Sequence, residues 1–377
     1  MRVAVVNTDY APFLAALYGS SPGLESASYD EQQRARADSL FGVADFFSAN
    51  LRALGHEAFD LHFNNEPMQL AWAREHAPAL ARAREPRPSA LRRVSRKLRG
   101  GTILDRIVAA QLRALRPDVI LNQDLRSVPP AVLARARGGA LLVGQHGATA
   151  FDDYGQFAAY DLVLSQVRPT VERFRAAGVS AEELPLGFEA TIPARLCGAE
   201  PLRDVVFVGS LFPGVHDERI RLLEHVCSEV PGVAVFSAGV DGLAATSPIR
   251  ACWAGPAWGR RMYEVLLRSR ISLNRHGGAF AYADNCRLYE ATGVGSALLT
   301  DALPHLGDLF ELEAEVATYA DAEGCVARIR ELLADEPARA AIAEAGRART
   351  LSEHTYARRM EQLVELLEPR LRRAKAG

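Results

Sequence analysis

Short apolar runs alternate with amphipathic segments along most of the chain. A short run rich in Val, Ile and Leu predicts a buried parallel strand, and apolar residues spaced three or four apart predict a helix. Segments of these two kinds that follow one another in turn indicate a parallel sheet with right-handed crossovers. In the first half the predicted strands are 3–6, 58–63, 119–122, 140–144 and 162–165, and the predicted helices are 39–54, 128–136 and 170–177.

The alternation lapses between residues 185 and 201, where Gly, Pro and short polar pieces indicate a linker, and then resumes. The predicted strands of the second half are 204–209, 233–237, a run that includes Ile271 and Leu273, and 297–300, and the predicted helices are 217–230, 258–269, 285–292 and 355–373. The sequence therefore predicts an α/β protein of two Rossmann-like, doubly wound domains, 1–190 and 200–352, which face each other across a cleft.

Composition excludes several classes of protein. A length of 377 residues suits two domains, and a net charge of -2 gives no support for a nucleic-acid-binding protein. No apolar run approaches the ~18 residues that span a bilayer, and the first residues enter a strand without a secretion signal. The five cysteines are odd in number and have no paired spacing, which indicates a reducing compartment. We therefore expect a cytoplasmic protein.

The segment 270–301 carries most of the candidate chemistry. It predicts a strand, a Gly-rich polar loop, a short helix and a second strand, and such strand ends before a helix are where doubly wound sheets bind phosphorylated ligands. Its imidazole, amides, guanidinium and carboxylate suit a nucleotide sugar, with donors for the pyrophosphate and an acceptor for ribose hydroxyls. The candidate residues are Asn274, His276, Gly277, Gly278, Asn285, Arg287, Leu288 and Glu290.

These residues also resemble a known family. Asn-Arg-His, Asn-Cys-Arg-Leu-Tyr-Glu-Ala-Thr-Gly-Val-Gly and Leu-Leu-Thr-Asp resemble the carboxy-terminal half of GT-B glycosyltransferases, in particular the GT4-like branch related to the spore-coat protein CgeB. The resemblance implies a metal-independent glycosyltransferase with a retaining outcome, whose co-substrate is a nucleotide-diphosphate sugar and which needs no other cofactor. It also implies that the terminal segment 353–377 crosses back onto the first domain.

The resemblance gives Arg287 and Glu290 specific roles. Arg287 would neutralise the donor pyrophosphate and Glu290 would accept the ribose hydroxyls. Because they lie three residues apart, the alternative is an i,i+3 ion pair on a helix surface, which is worth only a few tenths of a kcal/mol. Tyr282 stands where the GT4 group carries an acidic residue.

Other phosphate contacts are expected near the strand ends. His276 can donate to a phosphate or sugar oxygen, and the alternative is that it caps its own turn. Gly209 and Ser210 follow a predicted strand, where backbone N–H groups can approach a phosphate. Arg219, near the start of the next helix, is the expected cation on the phosphates, although a helix-surface arginine is the simpler interpretation.

The first half offers candidates for the acceptor side. His146, in a polar turn after a strand, suits a group that faces the reacting sugar, and the alternative is a turn histidine bonded to the backbone. We predict that His146, His276 and Arg287 are catalytic. Asp9 and Tyr10 follow the first strand and are predicted to lie on the same rim. The loop 64–72 is predicted to be structural.

The basic segment 82–99 can dock on anionic lipid, but a solvated insertion is the commoner arrangement. No P-loop or dinucleotide-binding motif is present, and no residue set requires a metal. The predicted partners are a nucleotide sugar and an unidentified acceptor, with no nucleic acid. Two alternatives stay open: a nucleotide-sugar 2-epimerase of the same fold, and a non-catalytic partner subunit that binds a sugar nucleotide.

Overall fold

The computed structural model describes residues 1–82, 101–147, 149–277 and 280–376. The chain divides into two compact units. The first comprises Met1–Gly147, Phe151–Leu184 and Met360–Gly377, and the second consists mainly of Pro185–Arg359. Gly278 and the basic segment 82–99, apart from Arg82, lie outside the described residues.

The first unit contains one parallel sheet. Its strands are β1 Arg2–Asn7, β2 Glu57–His62, β3 Val119–Asn122, β4 Leu141–Gln145, β5 Leu162–Ser165 and β6 Ala181–Glu183. They are arranged in the order β2-β1-β3-β4-β5-β6, with Ala4, Ile120, Leu142 and Val163 from neighbouring strands in one buried core. The order changes direction between β1 and β3, the position where doubly wound sheets usually bind ligands.

Helices cover this sheet. They are α1 Ala11–Gly19, α2 Tyr29–Asp38, α3 Phe46–Ala53, α4 Glu66–His76, α5 Pro78–Arg82, α6 Ile103–Leu115, α7 Pro130–Ala136 and α8 Arg168–Ala176. In α6 the Thr102 side chain accepts from the backbone N–H of Asp105, and the Asp105 carboxylate accepts from the N–H of Thr102 at 2.6 Å. This capping box satisfies two amides that a helix start leaves unpaired. Ile107 and Leu112 then face the interior.

The helix predicted over 39–54 is wrong in its first half. The structure has left-handed backbone at Leu40, Gly42 and Ala44, with φ values of 58°, 57° and 40°. A right-handed helix cannot continue through such residues, so α3 begins only at Phe46. Leu40 and Ala44 are nevertheless buried. Their apolar spacing therefore reflects packing and not helical structure.

The hydrophobic pattern does not predict α2 or α4. α2 is largely polar, and its start is marked by Ser28 and Glu31, which form a second capping box. α4 occupies most of the segment predicted as a loop, and Asn65 caps it by accepting the N–H of Met68 at 3.3 Å. Both helices depend on capping residues more than on an apolar stripe.

The second unit contains another parallel sheet. Its strands are β7 Arg203–Val208, β8 Val233–Phe236, β9 Ser269–Leu273, β10 Ala297–Asp301 and β11 Ala317–Tyr319. Their order is β11-β10-β9-β7-β8, so the change of direction falls between β7 and β9. Val205, Phe207, Ile271 and Leu299 contribute to its buried core. The carboxyl ends of β7 and β9 therefore bracket the expected ligand position.

The helices of the second unit are α9 Asp217–Glu229, α10 Ile249–Cys252, α11 Arg260–Leu267, α12 Cys286–Val294, α13 Leu306–Leu309, α14 Ala322–Ala334 and α15 Glu336–Glu353. The last helix, α16, spans Tyr356–Ala376, and its residues from Met360 onwards belong to the first unit. There Arg370 Nη2 lies 3.4 Å from Glu182 Oε1. Among the described residues, no helix is both long and apolar enough to cross a membrane.

Two parallel sheets, each flanked by helices, confirm the predicted α/β fold class. How the two units face each other, and the predicted domain limits, stay predictions.

A buried network of charged side chains lies at the carboxyl end of β1. Asp9 Oδ1 lies 2.6 Å from Arg36 Nη2, and Asp9 Oδ2 lies 3.1 Å from His62 Nδ1. None of the three side chains is more than 3% exposed. Burial alone would raise the pKa of Asp9, but the charges and hydrogen bonds of His62 and Arg36 outweigh it and hold the pKa far below its ordinary value. The prediction that Asp9 meets an acceptor is therefore wrong, whereas the neighbouring Tyr10 is exposed.

Asp9→Asn should lower the free energy of unfolding by about 3–5 kcal/mol, because Arg36 then stays buried without its counter-ion. Urea unfolding measures this change. Since the pKa of Asp9 is lowered on folding, its contribution is present above the ordinary carboxyl pKa and is lost as the pH falls towards the native value. The variant should therefore lose less stability than the wild type on acidification. Glu57→Gln, which breaks the exposed Arg2–Glu57 pair, is the control, and equal effects of the two substitutions would contradict the assignment.

Candidate active site

A cavity of about 530 Å³ lies at the carboxyl edge of the second sheet, where the strand order changes direction. We call it the strand-end pocket. It is lined by the start of α9, by the loop after β9 and by the end of β10. The lining residues used below are Glu218, Arg219, Arg275, His276, Gly277 and Asp301.

Arg219 is a largely buried cation without a counter-ion. Its Nη1 donates to the Ser210 carbonyl at 3.0 Å and its Nη2 donates to the Arg275 carbonyl at 3.1 Å. Its Nε is buried without a hydrogen-bond partner, and across the described ranges no carboxylate lies within ion-pairing distance of its guanidinium. Burial lowers the pKa of Arg219, and the attraction of Asp301 offsets this only in part. Arg219 is therefore more than the helix-surface arginine of the simpler interpretation.

Gly277 makes room for this guanidinium. A Cβ atom at position 277 would lie 2.8 Å from Arg219 Nη2. Such a distance is far inside ordinary van der Waals contact, so any side chain here displaces the guanidinium or the loop. A side chain at position 277 would therefore shift the end of the Arg219 side chain.

His276 and Asp301 form a buried pair. His276 Nδ1 lies 2.7 Å from Asp301 Oδ1, and the backbone N–H of His276 donates to the same oxygen at 3.0 Å. The other ring nitrogen, Nε2, is buried without a hydrogen-bond partner. Burial alone would raise the pKa of Asp301, but the hydrogen bonds and charge of His276, together with Arg275, hold this pKa below its ordinary value. The imidazole thus binds Asp301 and does not merely cap its own turn.

Arg275 connects the same loop to α9. Its Nη1 lies 2.8 Å from Asp301 Oδ2, and its Nη2 lies 2.7 Å from Glu218 Oε2. The Tyr319 hydroxyl donates to the Asn274 carbonyl at 2.7 Å. Sequence reasoning did not identify Arg275, Glu218, Asp301 or Tyr319 as site residues. Asp301 ends the Leu-Leu-Thr-Asp motif and could have been found there, whereas no local pattern marks Tyr319.

Asn274 and Asn285 tie the loop to α12. Asn285 Nδ2 donates to Asn274 Oδ1 at 3.1 Å, and Asn285 Oδ1 accepts the N–H of Leu288 at 3.3 Å as the helix cap. Asn274 Nδ2 also donates to Thr300 Oγ1 at 3.0 Å. Leu288 is fully buried and its amide is used by the cap. The prediction that Leu288 contacts the nucleotide sugar is therefore wrong. The contacts that the two asparagines make in the structure are structural.

Arg287 and Glu290 are paired, but not on an open surface. Their side chains lie 2.7 Å apart at Nη1 and Oε2, with exposures of 12% and 10%. Arg287 Nη2 also donates to the Val208 carbonyl at 3.2 Å, at the end of β7. The i,i+3 ion pair of the alternative is therefore present, although it is not on an open surface, and the predicted roles of Arg287 and Glu290 towards the nucleotide sugar stay predictions.

Gly209 cannot serve as predicted. Its N–H donates to the Phe236 carbonyl at 3.0 Å, so it is not available to a phosphate. A Cβ atom here would lie 2.8 Å from the Phe207 ring, which explains the glycine by packing. Ser210 contributes its carbonyl oxygen, which holds Arg219.

The first unit carries the predicted acceptor-side histidine. His146 directly follows β4 and is half-buried, and its ring centroid lies 4.2 Å from that of Phe151. At the change of direction in the first sheet, Thr8 Oγ1 donates to Asp124 Oδ2 at 2.6 Å. His146 and His276 belong to different units, so their joint action stays a prediction.

Known families and structures were compared with this chain. Residues 219–365 match the protein-family model described as "Glycosyl transferase-like". A search of curated protein sequences finds no match. The matched region includes Arg219, His276 and Arg287 and lies mostly in the second unit.

Solved structures resemble the chain over its whole length. The glycosyltransferase AviGT4, involved in avilamycin A biosynthesis, is 18% identical, with a TM-score of 0.57 and coverage of 99% of this chain and 98% of that one. Anabaena HepE in complex with UDP-glucose is 14% identical, with a TM-score of 0.59 and coverage of 98% and 100%. Sucrose-phosphate synthase from Thermosynechococcus elongatus is 12% identical, with a TM-score of 0.59 and coverage of 99% of each chain.

The fold is GT-B. The family match and these neighbours together support glycosyltransferase function. The narrower resemblance to the CgeB-related branch stays a prediction. Within this GT-B protein, the strand-end pocket lies in the unit that the family model matches.

Gly277→Ala should weaken the binding of inorganic pyrophosphate about tenfold or more, because the methyl group displaces Arg219 and a charged hydrogen bond is worth roughly 1.5–3 kcal/mol. Isothermal titration calorimetry measures the affinity. Gly307→Ala is the control, since a Cβ atom at that position meets nothing within 4 Å. Unchanged affinity in the Gly277 variant would show that Arg219 does not bind the anion.

Proposed function

We propose that this GT-B protein is a glycosyltransferase that moves a sugar from a nucleotide-diphosphate sugar to an acceptor. The observation that carries the proposal is Arg219, a half-buried cation at the strand-end pocket with two carbonyl contacts and no carboxylate within ion-pairing distance among the described residues. A diphosphate supplies the negative charge that is missing there, and guanidinium groups bind phosphate oxygens well. HepE, a protein with the same fold, is known in complex with UDP-glucose.

The difficult step of such a transfer is the departure of the nucleotide diphosphate from the anomeric carbon. Negative charge grows on the leaving oxygen as the bond to the sugar breaks. Arg219 and His276 line the pocket that receives this charge. Groups that are already held in place stabilise developing charge without reorganising at the moment of reaction. This arrangement would make the transfer metal-independent.

The nucleotide is expected beside the carboxyl end of β7. Glu290 accepts the ribose hydroxyls, and its ion pair with Arg287 fixes the direction of the carboxylate. Arg287, held by the Val208 carbonyl, adds a second positive charge for the diphosphate. His146 and Tyr10 in the first unit are the acceptor-side candidates. The retaining outcome and the cytoplasmic location are also part of this proposal.

Donor turnover tests the function directly. The protein is first screened by thermal shift against uridine, guanosine and adenosine diphosphate sugars, because a ligand that binds only the folded state raises the melting temperature. The nucleotide sugar that gives the largest shift is then incubated with the protein, and the products are separated. Slow hydrolysis to free sugar is expected. Isomerisation at C2 would indicate an epimerase instead, and binding without turnover would indicate a partner subunit.

Arg219→Gln should lower this turnover by about 10²-fold or more, because it removes a donor that stabilises the leaving diphosphate. The melting temperature checks that the variant folds. Arg270→Gln is the matched control, since it removes an exposed arginine of the same unit that pairs with Asp204. Near-normal turnover in the Arg219 variant would remove Arg219 from the mechanism.

A further inference from the structure

One carboxylate holds two charged or ionisable residues of the loop after β9, Arg275 and His276. Asp301 Oδ1 accepts from the ring and from the backbone N–H of His276, and Asp301 Oδ2 accepts from Arg275 Nη1. The Asp301 side chain is 3% exposed, so these contacts are shielded from water. Thr300 Oγ1 adds a donor to Oδ1 at 3.2 Å. Four donors from three residues therefore converge on a single buried side chain.

This arrangement decides which nitrogen of His276 faces a ligand. A carboxylate accepts and cannot donate, so Nδ1 must carry a proton. The second ring nitrogen of this pocket-lining residue, Nε2, is buried and has no hydrogen-bond partner. When the ring takes a second proton, Nε2–H becomes a donor to an anionic oxygen, and Asp301 balances the new charge. Without Asp301 neither the tautomer nor the ring orientation is fixed.

The positive charges around the imidazole make a counter-charge beside it necessary. Arg275 lies beside the imidazole in the loop. The start of α9 brings five further polar residues to the pocket: His216, Asp217, Glu218, Arg219 and Arg221. Arg275 is already paired with both Glu218 and Asp301, whereas Arg219 has no carboxylate partner. A protonated imidazole next to Arg219 would repel it. The carboxylate of Asp301 offsets that repulsion at 2.7 Å from Nδ1.

We propose that Asp301 is a positioning residue for diphosphate binding. It fixes His276 with Nε2 towards the strand-end pocket and holds Arg275 across to α9. The proposal rests on the proposed function, because the diphosphate is the ligand that the pocket is taken to bind. Asp301 acts through His276 and Arg275 and not by touching the ligand.

The tautomer provides a test that needs no ligand. The two ring nitrogens of a neutral histidine have different ¹⁵N shifts, which long-range ¹H–¹⁵N spectra resolve at about pH 8, where ordinary imidazoles are neutral. Of the nine histidines, the signal lost in His276→Gln belongs to His276. The expected result is a proton on Nδ1 in the wild type and a shift towards the Nε2–H form in Asp301→Ala. A wild-type ring protonated on Nε2 would overturn the proposal.

A double-mutant cycle tests whether Asp301 acts through His276. Inorganic pyrophosphate is the probe, because its binding does not depend on the base or the sugar. Asp301→Asn keeps the side-chain volume but leaves one acceptor oxygen for the four donors, and it should weaken binding about tenfold or more, as His276→Gln should. The affinity of the double variant should be at most about threefold lower than that of the weaker-binding single variant. Fully multiplicative effects would show independent roles and overturn the proposal.

Asp308→Asn is the matched control. It breaks a His–Asp contact of similar length, 2.8 Å to His305, in which the aspartate is exposed, and it should change neither the His276 signal nor pyrophosphate affinity. If the wild type binds no pyrophosphate, the anion pocket of the proposed function fails even with the expected tautomer. If it binds pyrophosphate and shows the wrong tautomer, only the role of Asp301 fails.

Discussion

A charge that leaves water needs an opposite charge or well-placed hydrogen bonds, and this requirement shapes the strand ends of both units. In the first unit it is met internally, because Asp9 is enclosed by Arg36 and His62. In the second unit it is met only in part, because Arg219 has carbonyl oxygens but no carboxylate. The same physical constraint thus gives a closed structural network in one sheet and a site open to a ligand in the other.

The fold could be predicted where burial dominates. The strands β3 and β5 coincide with the predicted runs 119–122 and 162–165, because strands covered on both faces are continuous apolar segments. β6 and β11 have only three residues each, too short for a period to appear. Leu40 shows the opposite failure, since its apolar spacing is helical while its backbone is left-handed.

The site could be predicted only in part. The segment 270–301 was identified because its polar residues follow a strand, and it holds His276 and Asp301. What could not be read is which partner each group takes, since the carboxylate that orients His276 lies 25 residues away in sequence. Gly209 shows the same limit: its position suggests a phosphate contact, but its amide is used by the neighbouring strand. Spacing along the chain locates a site, and packing decides which atoms remain available in it.

The unbalanced guanidinium of Arg219 also has a consequence for handling the protein. Sulfate and inorganic phosphate have the same oxyanion geometry as one end of a diphosphate. Either ion can bind a guanidinium that has no carboxylate partner. Buffers rich in these ions would therefore stabilise the folded protein and at the same time compete with its ligand. The choice of buffer salt thus becomes part of any description of its affinity.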